Sequence, residues 1–397
     1  MNTQQIGDGA LLLRDQDGRD WQEPLQHVRT PGEVRILSYN IFMRPPGISS
    51  DKVGDLKNER LHEIITNVIP RYDVVCFQEV FTACNCRKNK LSEAAKEQGF
   101  AHEAFPPSHP FLSLYFLNSG LLTISRHLIA VSDFKNFSNG SGVDALAYKG
   151  VQYMRIMVDG KHPMNLFNLH MQAHYDKLDH KNIKSRLNQI SEMRKIIEKM
   201  LRKHTGFFHL ESSNSFYEPI YIIGDFNVCA NLHLFEKDGY LEHNEMNDHF
   251  FDFLEEFHPN DHHFVEYDYL MYMLRMPLVP GRPNNKMVEM LLAKYGHHPL
   301  TFIGNIHSES SLEEIHQMKK DDSMDFIFQM IPSGQDVEKL VLQADVQDCR
   351  VQPFTVRNKP YKFTSDHLGV EFVVKVKQEL AVSQANKNPL TLRRDLP

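Results

Sequence analysis

The sequence predicts an α/β protein in which β-sheets pack on one another and helices cover them. Three observations lead there. Short apolar runs with the β-rich composition of buried strands recur along the chain, helical periodicity separates only some of them, and the order departs from strict βαβ alternation. Neither an internal repeat nor a low-complexity linker divides the 397 residues. One large domain over 33–377 is therefore expected, with an extension over 1–32 ending in Thr30-Pro31-Gly32 and a polar tail over 378–397.

The elements follow in order. VRILSYN (34–40) reads as a buried strand, and a helix near 56–69 places Leu61, Ile64, Ile65 and Val68 on one face with Pro70 just past its end. DVVCFQEV (73–80), GLLTIS (120–125), VQYMRIMV (151–158), NLFNLHM (165–171) and PIYIIGDFNV (219–228) read as further strands. The longest amphipathic helix, about 183–203, aligns Ile183, Leu187, Ile190, Ile197 and Leu201. A Met- and aromatic-rich region over about 240–320 precedes DFIFQMI (325–331) and LGVEFVVKV (368–376), the last alternating with period two.

Composition narrows the class. Gly and Pro at 20 each and Cys at 5 exclude collagen-like, disordered and disulfide-scaffold chains. No run approaches the roughly 20 apolar residues of a membrane span, and the start of the chain lacks the basic opening and apolar middle of a secretory signal. The expected location is cytoplasmic or at the membrane periphery. With 44 Lys+Arg against 51 Asp+Glu, the net charge of −7 argues against a protein that coats nucleic acid. Cys84-Asn85-Cys86 has no second pair to complete a metal site, and His262-His263 and His297-His298 lack ligand spacing on a helix face.

Polar residues cluster at the ends of the apolar strands. Asn40 ends the first, Gln78-Glu79 the second, His170 another, and Asp225 and Asn227 sit in GDFN; Asp325 opens DFIF, and Asp366-His367 precedes the final strand. Each has an ordinary explanation: a turn-forming Asn, a solvated Glu, a structural His, a tight Gly-Asp turn. A strand that buries its middle and presents a polar group at its end is also a rigid platform for a site. The joint order of these residues carries the stronger signal.

That order resembles the endonuclease/exonuclease/phosphatase superfamily, the DNase I-like fold, across about 34–376. YNIFMRPP (39–46), Lys149-Gly150 ahead of a strand, and LHMQAHYD (169–176) followed by Arg186 and Gln189 look like neutral sphingomyelinases. The resemblance implies a four-layer α/β sandwich of two mixed β-sheets with helices on both outer faces. It implies metal ligation by Glu79 and Asn40, with Asp225, Asn227 and Asp366 completing the cluster, and Mg2+ as the ion (Mn2+ or Co2+ as substitutes), a hard cation suited to oxygen donors. It makes His367 the base that activates water, Asp325 its orienting partner and His170 a donor across the phosphate, with Asp225 and Asn227 assisting. NGSGVD (139–144) lacks the ending of a nucleotide-binding loop and reads as a surface loop; in sphingomyelinases Asp144 and Lys149 would adjoin the site.

Fold alone does not choose among nucleases, inositol-phosphate phosphatases and sphingomyelinases. The acidic chain without long Lys/Arg runs favours a phospholipid or other small phosphodiester over nucleic acid. The matching stretch Ser323-Met324-Asp325-Phe326-Ile327 differs from the Pro-Ala-Trp-Cys-Asp-Arg type of inositol polyphosphate 5-phosphatases. YDYLMYMLRMPLVP (267–280) has two readings: a loop that dips into a bilayer, or a core helix with Tyr269, Tyr272, Met273 and Met276 at helical spacing. His298-Pro299-Leu300-Thr301-Phe302 resembles a substrate-side loop of sphingomyelinases. The expected activity is hydrolysis of sphingomyelin to ceramide and phosphocholine, with peripheral membrane contact. The alternatives are a nuclease on the same scaffold and a silent binding scaffold.

Overall fold

Alternation along the strands decides which side chains meet between the sheets and which meet the helices. In the computed structural model, residues 30–48, 54–109, 113, 115–173, 180–205, 218–230, 262–307, 323–334 and 337–377 are described. Most of the expected extension and all of the tail over 378–397 lie outside them. The described strands are β1 (Glu33–Met43), β2 (Val74–Val80), β3 (His102–Ala104), β4 (Leu122–Ser125), β5 (Leu128–Asn136), β6 (Gly150–Val158), β7 (His162–His170), β8 (Ile220–Asp225), β9 (Lys286–Glu289), β10 (Asp325–Ile331), β11 (Leu342–Ala344), β12 (Arg350–Gln352) and β13 (Gly369–Val376). They form two sheets, β11-β13-β1-β2-β4-β3 with β12 beside β13, and β5-β6-β7-β8-β10-β9. Both are mixed: β1–β2 and β7–β8 run parallel, whereas β13–β1 and β10–β8 run antiparallel.

The two sheets stack face to face. Val34, Ile36, Val74, Cys76, Val370, Phe372 and Val374 of one meet Met154, Ile156, Met164, Leu166, Tyr221, Ile223 and Ile327 of the other. The alternate residues point outward. Leu37, Tyr39, Val75 and Phe77 pack on Leu61, Ile64, Val68, Leu91 and Ala95 from α1 (Lys57–Glu63), the wide turn that prolongs it over Ile64–Val68, and α2 (Arg87–Glu97). Phe167, Leu169, Ile222, Phe326 and Phe328 pack on α3 (His180–His204) and α4 (His262–Arg275) through Leu187, Ile190, Ile197, Leu270 and Leu274. Helix, sheet, sheet and helix make the expected four layers. Burying each strand on both faces is why these runs read as continuous apolar stretches rather than clean alternations.

The sequence expectations hold with local changes. The helix near 56–69 is not one regular element: it widens at Ile64 and closes in a tight turn over Ile69–Arg71, where Pro70 has no N–H to continue the ladder. Tyr267, Tyr269, Leu270, Met271, Met273 and Leu274 are buried, so the 267–274 stretch is core rather than a lipid-facing loop. Sequence patterning passes over β5, an edge strand whose residues are half-exposed throughout, and the three-residue β3, β11 and β12. Among the described residues no helix is long and apolar enough to cross a membrane.

Candidate active site

The inter-sheet faces change character toward one end of the sandwich. On β1 the inward residues run Val34, Ile36, Ser38, Asn40; on β7, Met164, Leu166, Asn168, His170; on β8, Tyr221, Ile223, Asp225. Register brings these ends together: Asn40 pairs with Gln78, His170 with Asp225 and Asp225 with Asp325. Because β10 and β13 run antiparallel to their neighbours, Asp325 and Asp366-His367 contribute from strand starts to the same end. Glu79 would face outward by alternation. Its left-handed backbone (φ 60°) breaks that alternation, and Asn40 Nδ2 donates to Glu79 Oε1 at 3.2 Å. Gly120 packs directly on the Glu79 backbone, where a Cβ would crowd Glu79 Cα at 3.3 Å. Gly224, ahead of Asp225, is likewise obligatory: its φ is 140° and a Cβ would collide with the Leu169 carbonyl.

The cluster is almost wholly buried. Asn40 Nδ2 also donates to Asp225 Oδ2 at 2.9 Å and lies 3.4 Å from His367 Nε2, while its Oδ1 accepts from Phe42 N at 3.1 Å. His367 Nδ1 is 2.9 Å from Asp325 Oδ2, and His367 Nε2 lies 3.7 Å from Asp225 Oδ2. His170 Nε2 sits 3.5 Å from Asp225 Oδ2 and 3.1 Å from Lys149 Nζ. Asn227 donates from its backbone to Asp225 Oδ1 at 3.0 Å and from Nδ2 to Met171 O at 3.3 Å. Asp366 accepts from Ser365 Oγ at 3.2 Å, and Ser365 Oγ also donates to Asn40 O at 2.6 Å. The structure thus gathers Asn40, Glu79, His170, Asp225, Asn227, Asp325, Asp366 and His367 at one end of the inter-sheet core.

Electrostatics follows from burial. Desolvation lifts the Glu79 carboxyl, and lifts Asp225 and Asp366 to about 6 each. Desolvation opposes a charge on His367, yet Asp325, Asp225 and Asp366 outweigh it and hold the imidazole well above its ordinary value. His170 moves the other way, held down by burial, Lys149 and His367. The carboxylates around His367 and the ammonium beside His170 thus pull the two histidines in opposite directions.

Supporting residues explain how the geometry is held. Buried Arg60 donates to the carbonyls of Ile41, Phe42, Asp55 and Thr364, which fixes the chain on either side of Asn40 and Ser365. Thr301 Oγ1 accepts from Met324 N and Asp325 N at 2.9 and 3.0 Å, and the Phe302 ring lies 4.8 Å from that of His367. The 298–302 segment thereby braces the Asp325–His367 pair. Beneath the cluster, Gln78 Nε2 donates to Asn168 Oδ1 at 2.7 Å and Asn168 Nδ2 to Phe77 O at 3.2 Å, locking the two sheets in register. Asp144 and Lys149 are not part of a solvated loop: Lys149 Nζ donates to Asp144 Oδ2 at 2.8 Å and to Met171 O at 2.9 Å, beside His170. The only sequence signal for that lysine was its place before Gly150 and a strand. Residues 174–176 and the side chains of His262 and His263 lie outside the described residues.

A donor set rich in buried oxygens fits a hard divalent cation. Glu79 Oε2 is buried with no hydrogen-bond partner, an acceptor oriented into the cluster and left open. Asp225, Asp325 and His367 also bring ligand atoms within 4.8 Å of one another, but Asp325 is already engaged with His367 Nδ1.

The four-layer sandwich with this cluster at the end of its inter-sheet core has the DNase I-like fold, and in sequence the chain is similar to sphingomyelinases. Its sequence relatives include a sphingomyelinase of Dictyostelium discoideum, 30% identical over 208 residues (45% of this chain, 43% of that protein). Sphingomyelinase C of Leptospira interrogans is 28% identical over 207 residues, 49% of this chain and 34% of that protein. The aligned stretch spans less than half the length of these relatives. Among solved structures, the beta toxin of Staphylococcus aureus superposes with a TM-score of 0.54 at 17% identity, covering 87% of this chain and all of that one. A variant of that toxin has been solved with bound magnesium ions. No protein-family profile matches the chain.

Proposed function

We propose that this protein is a divalent-metal-dependent phosphodiesterase that releases a phospholipid head group, with sphingomyelin, cleaved to ceramide and phosphocholine, as the substrate. The observation that carries the reading is the His367–Asp325 pair at 2.9 Å, gathered with buried Asp225 and Asp366 and half-buried Glu79 at one end of the inter-sheet core. The sequence relatives supply the choice of substrate, and the magnesium-bound toxin supports Mg2+ as the ion.

Glu79 and Asp366 would hold the cation, with Asn40 fixing the Glu79 carboxylate through its amide N–H. A bound divalent ion supplies positive charge that offsets these carboxylates, neutralises the phosphoryl oxygens and acidifies water. The chain does the rest. Asp325 accepts the Nδ1 proton of His367 and so fixes the tautomer that leaves Nε2 to take a proton from water. Asn40 and Asp225, close to that Nε2, orient the attacking water. The Lys149 ammonium, beside neutral His170, presents positive charge to the opposite phosphoryl oxygens. Loss of one preorganised donor of this kind typically costs about 100- to 1,000-fold in rate. A covalent intermediate has no role in this scheme, since the nucleophile is water.

The test pairs the protein with its His367→Ala variant on sphingomyelin vesicles and plasmid DNA, each with Mg2+ and with EDTA. Metal-dependent phosphocholine release that the variant loses supports the lipid reading. DNA cleavage with the same dependence transfers the assignment to a nuclease, and full activity in His367→Ala overturns the mechanism.

A further inference from the structure

Beside the active site the ordinary burial rule is broken in the apolar direction. Phe116, Val143 and Leu146 are 73%, 64% and 40% exposed, half of the large apolar side chains on the described surface. They come from two segments that backbone pairing ties together. Leu146 O accepts from Phe116 N at 2.8 Å and from Leu117 N at 3.0 Å, and Leu117 O accepts from Tyr148 N at 3.0 Å. The rim so formed is anchored to the catalytic end. Ser141 N donates to Gln172 Oε1 at 2.7 Å and Gln189 Nε2 to Asn139 O at 2.6 Å, while Asp144 is held by Lys149. Gly140 passes so close to Ala145 that a Cβ would approach its Cα to 2.8 Å, so the loop is tightly built.

The rim borders a cavity of about 340 Å³ that Tyr115, Phe137, Asn139, Asp144, Lys149 and Gln189 line. Lys149 is one of its lining residues, and its Nζ lies 3.1 Å from His170 Nε2, so the cavity adjoins the reacting groups. Charge identifies the occupant of the rim. Residues 115–117 and 138–147 contain no Lys or Arg, and their one acid, Asp144, is paired with Lys149. An anionic membrane or nucleic acid finds nothing to bind there, whereas an uncharged apolar crest suits a zwitterionic lipid interface.

We propose that Phe116, Val143 and Leu146 insert into a zwitterionic bilayer interface and set the adjoining cavity over a lipid head group. This docking surface deepens the phosphodiesterase reading and rests on it for its purpose, but the binding is measurable without catalysis. The 267–274 stretch, which lies in the core, has no part in it.

The test measures sedimentation of the full chain with equimolar sphingomyelin–phosphatidylcholine vesicles. Phe116→Ser/Val143→Ser lowers partitioning about 10- to 100-fold, the loss expected for removing two inserted apolar side chains. The rate ratio of vesicle sphingomyelin to short-chain sphingomyelin dissolved as monomers falls by a similar factor. Leu128→Ser, at a side chain 45% exposed on the edge strand β5, changes neither. As a second measurement, Phe116→Trp in a Trp21→Phe background blue-shifts on vesicles and is quenched by brominated phosphatidylcholine. Binding by wild type is unchanged between about 0.1 and about 1 M salt, because no charged contact is screened. Wild-type sedimentation by the double variant, an unquenched Phe116→Trp, or a requirement for anionic lipid overturns the proposal. Quenching without hydrolysis of either substrate form leaves the docking surface standing and overturns the phosphodiesterase reading alone.

Discussion

The catalytic cluster and the rim beside it break the same rule in opposite directions. At the end of the inter-sheet core, three carboxylates and two histidines are buried, and the Oε2 acceptor of half-buried Glu79 has no partner. A short distance away, Phe116 and Val143 stand in solvent. Polar groups inside and apolar groups outside both raise the free energy of the folded chain. On the proposed function, the cluster does so because a low-dielectric setting strengthens its action on a charged phosphate, and on the proposed docking the rim does so because a second surface would cover it. The two regions therefore respond differently to substitution, and that difference is testable.

The largest effects fall on the cluster. His367→Ala lowers the rate of phosphodiester hydrolysis about 100- to 10,000-fold, the range for loss of a positioned general base, measured with saturating substrate and metal. Glu79→Gln separates activity from stability. It removes a buried, half-satisfied carboxylate and so abolishes metal-dependent activity while raising the metal-free melting temperature, by about 1 kcal/mol of added stability or more. Calorimetry with EDTA checks the sign. A lower melting temperature for Glu79→Gln would mean that the carboxylate is held by the fold for its own sake.

How much of this was legible in the sequence differs between the two regions for a physical reason. Inward-facing strand residues obey period two, so Asn40, His170 and Asp225 announce themselves as polar ends of apolar runs, and the order of the eight site residues carries the fold. Glu79 was legible only through that order, because its left-handed backbone violates the alternation that would place it. The Arg60 clamp, the Gln78–Asn168 cross-sheet link and the Thr301 brace depend on contacts between residues far apart in the chain, which no local pattern encodes. The rim was illegible for the opposite reason: Phe116 and Val143 look like core residues until their neighbours are in place. The aromatic stretch at 267–274 left a lipid-facing loop and a core helix both open, and its packing on α3 makes it core.

A third kind of buried charge sharpens the comparison. Arg186 and Glu266 are fully buried and paired in a fork, Nε to Oε1 at 2.9 Å and Nη2 to Oε2 at 3.2 Å, which joins α3 to α4 behind the segment that follows His170. Unlike the cluster, both partners are satisfied, so the pair holds structure and does no chemistry. Glu266→Gln leaves a buried guanidinium without its counter-charge and costs about 3–5 kcal/mol in denaturant unfolding. The rate per folded molecule changes far less than in His367→Ala. Equal losses of rate in both variants would erase the distinction between the two kinds of buried charge.

The smallest effect concerns Glu289 and His298, buried together 3.7 Å apart and away from the catalytic groups. Burial pushes the Glu289 carboxyl up to about 8, although it accepts from the N–H groups of Leu291 and Leu292, and burial lowers His298 to about 4. A carboxyl raised in the folded state binds more protons there than in the unfolded chain, so its contribution is complete below about pH 4.5 and is lost as pH rises toward 8. A histidine lowered in the folded state acts oppositely: its cost is absent above about pH 6.5 and grows as pH falls toward 4. Between about pH 4.5 and 6.5 the two slopes oppose each other and largely cancel. Above pH 6.5 only Glu289 of this pair titrates differently in the two states, and it takes away roughly 2 kcal/mol of stability by pH 8, in addition to the fall that the raised His367 contributes. Glu289→Gln keeps one of the two acceptor oxygens and removes the ionisation, so the stability of that variant in urea unfolding falls by roughly 2 kcal/mol less than that of the wild type between pH 6.5 and 8. If the two fall in parallel, the carboxylate is stabilised as an anion by the helix start it caps, and burial is not what governs it.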